Sequence, residues 1–188
     1  MPAASILIKP ASANCNMDCK YCFYKCLSSH REEYSKGFMK EETLETLVRE
    51  AIAYADGSLT FAFQGGEPTL AGLDFFQKAV ELQQKYNNKK LQIENTIQTN
   101  GLLIDEKWAR FLGEHRFLVG LSLDGPKKMH DRYRKDAAGQ DTFARIMHSV
   151  QLLEQYHVDY NVVTVVTNDT AKQASFLYKF WQIYIKIY

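Results

Sequence analysis

The residues with the clearest chemical potential are four cysteines, Cys15, Cys19, Cys22 and Cys26, which share one short segment. Clustered cysteines outside a secreted disulfide framework are typical of metal or redox sites. The C-x3-C-x2-C spacing of the first three predicts that they hold three corners of a cubane iron–sulfur cluster. The fourth iron then lacks a protein ligand, like the open position of a catalytic metal site. A small molecule with an amine and a carboxylate can chelate that iron. If the molecule also carries a sulfonium group, an electron passed from the cluster to the sulfonium can break a carbon–sulfur bond.

Other uses of these thiols stay open. A zinc site with Cys26 as the fourth ligand is one, although structural zinc sites usually pair two cysteine dyads across a loop. A ferredoxin-like cluster with four cysteine ligands is another. A disulfide framework fits poorly, because the cysteines do not connect distant parts of the chain. Cys26 lies outside the three-cysteine spacing, and we interpret it as a local thiol.

A second candidate is the glycine pair in residues 64–68, which read Gln-Gly-Gly-Glu-Pro. Glycines let a backbone approach a ligand closely, which favours a binding loop built on Gly65, Gly66 and Glu67. The same run can also be a plain turn into a helix.

Polar residues near position 130 form a third group. Ser122 and Asp124 follow a predicted strand, and Asp124 can be a turn-former. Arg132 and Arg134 come next, and a guanidinium pairs well with a carboxylate because it can donate two parallel hydrogen bonds.

Further candidates face the expected substrate side. Gln98 ends a predicted strand, and together with Gln64 it can hold a peptide backbone. Tyr24, just after the cysteines, is another candidate. Each of the three has a structural interpretation as well. The five histidines are scattered along the sequence and suggest no metal site.

The elements that must position these residues alternate regularly along the chain. Period-2 and β-rich runs predict strands at residues 5–9, 59–63, 91–98, 117–123 and 158–166. Helical periodicity predicts helices at residues 39–55, 73–86, 105–114, 142–156 and from 170 onward. Asp105 is the expected N-cap of the third of these helices. Five βα units in series predict an α/β fold with a parallel sheet, whose ligands bind beyond the carboxyl ends of the strands.

Composition limits the class of protein. The chain has 188 residues, a formal net charge of +1 and 46% hydrophobic residues, which is typical of a globular domain. The near-zero charge gives no argument for nucleic acid or an anionic membrane. No apolar run approaches the roughly 20 residues of a membrane span, and the N-terminus does not resemble a signal peptide. These observations favour a cytoplasmic protein.

The cysteine spacing, with Tyr21 just before the last of the three cysteines, resembles the signature of the radical S-adenosylmethionine (SAM) superfamily. The resemblance implies a partial (β/α)6 TIM-like barrel with about five βα units present. It implies that Cys15, Cys19 and Cys22 hold a 4Fe–4S cluster and that SAM occupies the fourth iron. Reductive cleavage of SAM then gives a 5′-deoxyadenosyl radical that abstracts hydrogen from the substrate.

The same resemblance assigns residues to SAM. Tyr21 lies near the adenine, Gly66 and less firmly Gly65 and Glu67 bind the amino group, and Ser122 contacts the cofactor. Arg134, rather than Arg132, pairs with the carboxylate.

Within the superfamily, the chain is similar to the N-terminal half of anaerobic sulfatase-maturating enzymes. That similarity implies oxidation of a cysteine or serine of a sulfatase to Cα-formylglycine, with a flavodoxin or ferredoxin as electron donor. Such enzymes also carry a C-terminal SPASM domain with auxiliary clusters and a proton acceptor, so the catalytic residue is unknown here. We expect residues 1–188 to be a radical SAM core domain that stops before a sixth βα unit, with residues 181–188 ending a helix or entering a sixth strand. Full turnover by this chain is then doubtful.

Two other functions remain as alternatives. One is a different peptide-modifying radical SAM enzyme, such as a thioether-forming maturase. The other is a non-catalytic cysteine-rich domain that holds zinc.

Overall fold

The computed structural model describes residues 3–184, with side chains through residue 182. Its centre is one sheet of five parallel strands in sequential order. They are β1 (Ala4–Ile8), β2 (Ser58–Phe63), β3 (Gln92–Thr99), β4 (Leu118–Ser122) and β5 (Tyr160–Val163). Sequential order is the order of a βα barrel, whereas a doubly wound sheet reverses direction at a switch point. The predicted α/β fold, a partial barrel with five βα units, is confirmed.

Helices connect the strands. They are α1 (Phe23–Ser29), α2 (Glu41–Tyr54), α3 (Leu73–Tyr86), α4 (Glu106–Glu114), α5 (Lys127–Tyr133), α6 (Phe143–Gln155), α7 (Asn168–Ala171) and α8 (Ala174–Tyr184). A 3-10 turn spans Pro68–Ala71. The predicted cap is present, since the Asp105 carboxylate accepts a hydrogen bond from the Trp108 amide at 2.9 Å. For residues 181–188 the end of a helix running into a sixth strand was expected; residues 181–184 end α8, and residues 185–188 lie outside the described part of the chain.

Two short helices were not predicted. Both α1 and α5 have seven residues and lack the repeated apolar spacing that identifies longer helices. The last predicted strand is also longer than the observed one. After Val163 the chain leaves the ladder, and the Val165 amide donates to the Asp124 carboxylate at 3.0 Å instead.

The core lies on the face of the sheet that the helices cover. Ile8, Phe63, Ile97 and Val119 occupy one register line across four strands and are at most 1% exposed. On the opposite face, Leu118 is 40% exposed. The apolar side chains therefore fix which face the helices cover and leave the other face open at the ends of the strands. No helix within residues 3–184 is both long and apolar enough to cross a membrane.

Candidate functional site

The cysteine loop, defined here as residues 9–22, leaves the carboxyl end of β1. It packs against the glycine loop, residues 64–67, at the carboxyl end of β2. The Gly66 amide donates to the Ser12 carbonyl at 2.9 Å, and the Glu67 amide donates to the Asn14 carbonyl at 2.7 Å. The sheet therefore joins the two loops that the sequence marked separately.

A third segment holds the other side of the cysteine loop. The Asp18 amide donates to the Lys135 carbonyl, and the Lys20 amide donates to the Tyr133 carbonyl, both at 2.9 Å. Tyr133 is the last residue of α5 and Lys135 follows it closely, so a helix that was not predicted positions the loop. The cysteine loop is thus fixed by backbone hydrogen bonds on both sides.

Gly66 has no room for a side chain. A Cβ atom there would lie 2.1 Å from the Asn14 carbonyl oxygen and 2.7 Å from the carbonyl carbons of Ala13 and Asn14. Gly65 has a φ of +126°, in the region that favours glycine. The close approach that requires Gly66 is therefore to the backbone of the cysteine loop.

Cys15, Cys19 and Cys22 line one cavity of about 370 Å³, together with Gly66 and Tyr24. Within residues 3–184, no three His, Cys, Asp or Glu side chains are placed to hold a single metal ion. A cubane cluster has a different requirement, because each of its thiolates binds a different iron and the sulfurs lie further apart. Three thiols around one cavity, with a glycine at its wall, fit such a cluster and a ligand beside it.

The thiols of this cavity act on one another. Burial raises the pKa of Cys19 to about 11; the Arg134 guanidinium opposes this rise, and Cys15 and Cys22 add to it. Although solvent reaches Cys15, desolvation of its thiol is the main cause that raises its pKa. Iron must therefore displace protons from these thiols when it binds.

Cys26 lies on the other side of the loop. It is exposed on α1 and lines a second cavity of about 700 Å³ with Cys19 and Cys22, but not with Cys15. All four cysteines are free thiols. The interpretation of Cys26 as a local thiol stays a prediction.

Tyr21, Arg134 and Asp124 form a buried polar cluster beneath the cysteine loop. The Tyr21 hydroxyl donates to the Asp124 carboxylate, and Arg134 Nη1 donates to the Tyr21 oxygen at 3.0 Å. Burial raises the pKa of Tyr21, which keeps the proton on its hydroxyl. Arg134 is 5% exposed, and its buried Nε has no hydrogen-bond partner among the described residues. A buried guanidinium with a free N–H fits an anionic ligand group.

Arg132 differs from Arg134 in every respect. Its side chain is 62% exposed and pairs with Asp169 at 2.7 Å on the surface. The structure places Arg134 in the interior and Arg132 on the surface, and the assignment of the carboxylate to Arg134 rather than Arg132 stays a prediction.

Glu67 has a structural task. Its carboxylate is 1% exposed and accepts hydrogen bonds from Thr69, from the Thr99 hydroxyl at 2.7 Å and from the Asn100 amide at 2.7 Å. Burial raises its pKa, and these hydrogen bonds oppose that rise. The side chain ties the glycine loop to the end of β3, so it supplies the position of Gly65 and Gly66.

Gln98 and Ser122, assigned to substrate and cofactor respectively, touch each other. Gln98 Nε2 donates to the Ser122 hydroxyl at 3.0 Å. Gln98 crosses over Gly120, where a Cβ atom would lie 2.2 Å from Gln98 Oε1. Gly120 therefore belongs to the site, although no sequence signal marked it.

The two remaining candidates are Tyr24, which lines the cavity of the cysteines, and Gln64, which precedes the glycine pair. Tyr24 is half-buried at the cavity of the cysteines, where its ring is tilted by 32° against that of Phe23 with centroids 4.2 Å apart, and Lys9 lies over it. Gln64 is half-buried just after β2, where its backbone amide donates to the Ile8 carbonyl at 2.9 Å. The structure shows no direct contact between the side chains of Gln64 and Gln98.

Sequence reasoning missed His130, which supports the buried cluster. His130 is 0% exposed, its Nδ1 accepts from the Asp124 amide at 3.3 Å, and its Nε2 lies 3.0 Å from the Thr142 hydroxyl. Thr142 in turn donates to the Arg134 carbonyl at 2.8 Å, so the Nε2–H tautomer donates to Thr142. His130 thus fixes the backbone at both Asp124 and Arg134.

The neutral state of His130 makes stability depend on pH. Burial, assisted by Arg134 and Lys127 and opposed by Asp131, lowers the pKa of His130 to about 3. The unfolded chain takes up a proton below the ordinary pKa of about 6.5, whereas the folded chain does not. We expect the free energy of unfolding to fall by up to about 1.4 kcal/mol per pH unit as the pH drops from 6.5 to 5. Urea unfolding at several pH values measures this slope.

The matched pair of variants is His130→Gln, which removes the titrating group, and His148→Gln, which replaces an exposed histidine on α6. We expect His130→Gln to flatten the slope and His148→Gln to leave it unchanged. A slope that persists in His130→Gln would assign the pH dependence to another group.

Comparisons with known proteins show the family of the chain. The sequence profile of the Radical SAM superfamily matches residues 10–179. The cysteine-type anaerobic sulfatase-maturating enzyme of Clostridium perfringens is 52% identical over 182 residues, which cover 97% of this chain and 49% of the relative. The serine-type enzyme of Klebsiella aerogenes is 39% identical, over 92% of this chain and 42% of the relative.

A solved structure gives the same result. The structure described as native anSMEcpe with bound AdoMet and Cp18Cys peptide superposes with a TM-score of 0.90 at 50% sequence identity. The match covers 97% of this chain and 48% of that one. The chain spans about half the length of the curated relatives that it matches. Since the superfamily profile covers most of the sequence, the chain belongs to the radical SAM superfamily.

Proposed function

We propose that this chain supplies the radical-forming half of an anaerobic sulfatase-maturating enzyme. The observation that carries the proposal is the cavity that Cys15, Cys19, Cys22 and Gly66 share at the ends of the strands. The similarity to cysteine-type and serine-type sulfatase-maturating enzymes supports the reaction, which is oxidation of a sulfatase cysteine or serine to Cα-formylglycine.

Radical SAM enzymes use a 4Fe–4S cluster and SAM, and in this proposal the three cysteines hold the cluster. Tyr21, Gly66 and Ser122 lie around SAM, with Gly65 and Glu67 shaping the glycine loop. Arg134 binds the carboxylate through its free N–H. When both cofactors are bound, they supply a 5′-deoxyadenosyl radical that removes hydrogen from the substrate.

The protein side of the site binds and orients. Gln98 donates a hydrogen bond to the Ser122 hydroxyl. A movement of Gln98 on binding the substrate would therefore also move Ser122 beside the cofactor. Tyr24 lines the cavity, where a peptide would enter, and Gln64 precedes the glycine pair beside it. Tyr21 keeps its proton because burial raises its pKa, so it stays a donor to Asp124.

The partners follow from the same proposal. The proposed substrate is a sulfatase polypeptide, and two solved structures similar to this chain contain bound peptides. A flavodoxin or ferredoxin supplies electrons in a reducing cytoplasm. Residues 1–188 form the radical SAM core domain, and the proton acceptor belongs to the SPASM-containing half of such enzymes.

Arg134 provides a specific prediction. We expect Arg134→Ala to weaken SAM binding by at least about tenfold, because it removes a desolvated partner of the carboxylate worth roughly 1.5–3 kcal/mol. Equilibrium dialysis with the anaerobically reconstituted protein measures the dissociation constant. Arg132→Ala is the control, since Arg132 pairs with Asp169 on the surface. Equal losses in the two variants would remove the assignment of the carboxylate to Arg134.

The experiment that tests the function is anaerobic reconstitution with iron and sulfide, followed by dithionite and SAM. Formation of 5′-deoxyadenosine is the first readout. A sulfatase-derived peptide with cysteine or serine at the target position is then added, and the aldehyde of formylglycine is trapped with a hydrazide reagent.

The outcomes separate the hypotheses. Deoxyadenosine supports the radical-forming role of this chain, and aldehyde in addition supports the sulfatase-maturating reaction. Deoxyadenosine with a thioether crosslink instead assigns another peptide-modifying reaction. Zinc in place of an iron–sulfur cluster after anaerobic preparation would overturn the proposal.

A further inference from the structure

One of the three proposed cluster cysteines differs from the other two in the hydrogen-bond donors near its sulfur. Cys15 Sγ accepts from the Met17 backbone amide at 3.4 Å and lies 3.8 Å from Asn100 Nδ2. Within residues 3–184, the sulfurs of Cys19 and Cys22 show no such donor. Cys15 is therefore the thiolate on which N–H donors converge, and one donor is a side chain from the end of β3.

The orientation of the Asn100 amide is fixed by its other contacts. Asn100 Oδ1 accepts from the Leu102 amide at 2.9 Å, so the opposite atom of the group is the nitrogen. Nδ2 has two protons; one points to Asn16 Oδ1 at 2.8 Å, and the other faces Cys15. Asn100 is only 6% exposed, so water does not compete freely for these contacts.

Glu67 holds Asn100 from below. Its buried carboxylate accepts from the Asn100 backbone amide at 2.7 Å and from the Thr99 hydroxyl at 2.7 Å. Glu67 also belongs to the glycine loop. Its buried side chain therefore fixes the positions of both the glycines and Asn100 relative to the cysteine loop. Asn100 is thus clamped in place rather than free to turn away.

A hydrogen bond to a cluster thiolate changes the energy of electron transfer. One-electron reduction takes the cluster from the 2+ to the 1+ state, with the electron supplied by dithionite in the test below and with no proton transferred. The added negative charge is shared by the sulfurs, so an N–H donor stabilises the reduced state more than the oxidised state. We propose that Asn100 is a positioning residue that raises the reduction potential of the cluster through its hydrogen bond to Cys15. This inference rests on the proposed function, because it requires the cluster on Cys15, Cys19 and Cys22.

The test is a redox titration of the reconstituted protein, with the reduced cluster followed by electron paramagnetic resonance. Asn100→Ala deletes the donor, and Asn100→Asp replaces it with an anionic acceptor while keeping an oxygen for the Leu102 amide. We expect midpoint potentials in the order wild type, Asn100→Ala, Asn100→Asp, from highest to lowest. For Asn100→Asp we expect at least a tenfold loss in the equilibrium constant for reduction, or about 59 mV for one electron.

The matched control is Asn88→Asp, which makes the same charge change just before β3, at the opposite end of that strand. Its midpoint should equal that of the wild type. Unchanged midpoints in both Asn100 variants, with full iron and sulfide content, would overturn the inference.

A second measurement tests the inference if the Asn100 variants lose iron. The protein is labelled with ¹⁵N at the asparagine side-chain amides, and the reduced cluster is studied by pulsed electron paramagnetic resonance. The same measurement is made on Asn16→Ser, which removes the side-chain amide of the asparagine next to Cys15. A nitrogen coupling that persists in Asn16→Ser supports the contact from Asn100, and a spectrum without any such coupling overturns it. Failure of the wild-type protein to form a 4Fe–4S cluster is a different result, because it contradicts the proposed function itself.

Discussion

Replacing Cys15, Cys19 or Cys22 singly by alanine is expected to abolish the cluster, whereas Cys26→Ala should retain it. In the proposed cluster each of the three would supply the sole protein ligand of one iron, so removing one would leave that iron without a protein ligand. The three line one cavity, while Cys26 is separated from Cys15 and opens into another. The loss of affinity for iron should exceed the roughly 10–100-fold loss that follows removal of a group supporting the ligands of a metal site.

The measurement is iron and sulfide content after anaerobic reconstitution, together with the charge-transfer absorption of the cluster. Iron should fall from about four atoms per chain to near zero in the three variants. Urea unfolding without iron serves as the folding control, since the metal-free chain should unfold similarly in all four variants. A cluster that survives Cys15→Ala but not Cys26→Ala would mean that the ligand set is wrong.

The second large effect is expected for Gly66→Ala. The added Cβ would lie 2.1 Å from the Asn14 carbonyl oxygen, and that atom belongs to a backbone that cannot rotate away. The glycine loop would have to withdraw from the cysteine loop, which breaks the bonds from Gly66 to Ser12 and from Glu67 to Asn14. Overpacking and two lost hydrogen bonds together cost about 3 kcal/mol of stability. Cluster content should fall with it, because the wall of the cavity moves.

Gly57→Ala is the matched control for this prediction. Gly57 also has a positive φ, +76°, but no atom lies within 4 Å of its added Cβ, and it precedes β2 at the end remote from the cysteines. We expect Gly57→Ala to cost about 1 kcal/mol through backbone strain and to bind a full cluster. Urea unfolding and iron content measure both effects. If Gly66→Ala matched Gly57→Ala in both, the close contact between the two loops would not support the site.

Much of the fold could be predicted because it depends on local pattern. Helix α3 was predicted with its observed bounds, and Asp105 was predicted as the cap of α4, since both signals lie within a few residues of one another. Strand ends were less certain. The run 158–166 is β-rich throughout, but β4 ends at Ser122, and a strand beyond the end of its partner has no ladder to join.

The candidate site divides along the same line. The sequence by itself singled out the three cysteines and the glycine pair, because residue type and spacing over short distances carry that information, whereas the choice of Arg134 came from the resemblance to the radical SAM superfamily. Only the tertiary structure decided the contacts of Glu67 with Asn100, of Asn100 with Cys15 and of Arg134 with Tyr21, which join residues 33, 85 and 113 positions apart. Such contacts depend on the register of the parallel strands, which places the ends of β1, β2, β3 and β4 side by side. Spacing therefore predicted which residues can hold the cofactors, and the sheet decided which buried groups hold those residues in place.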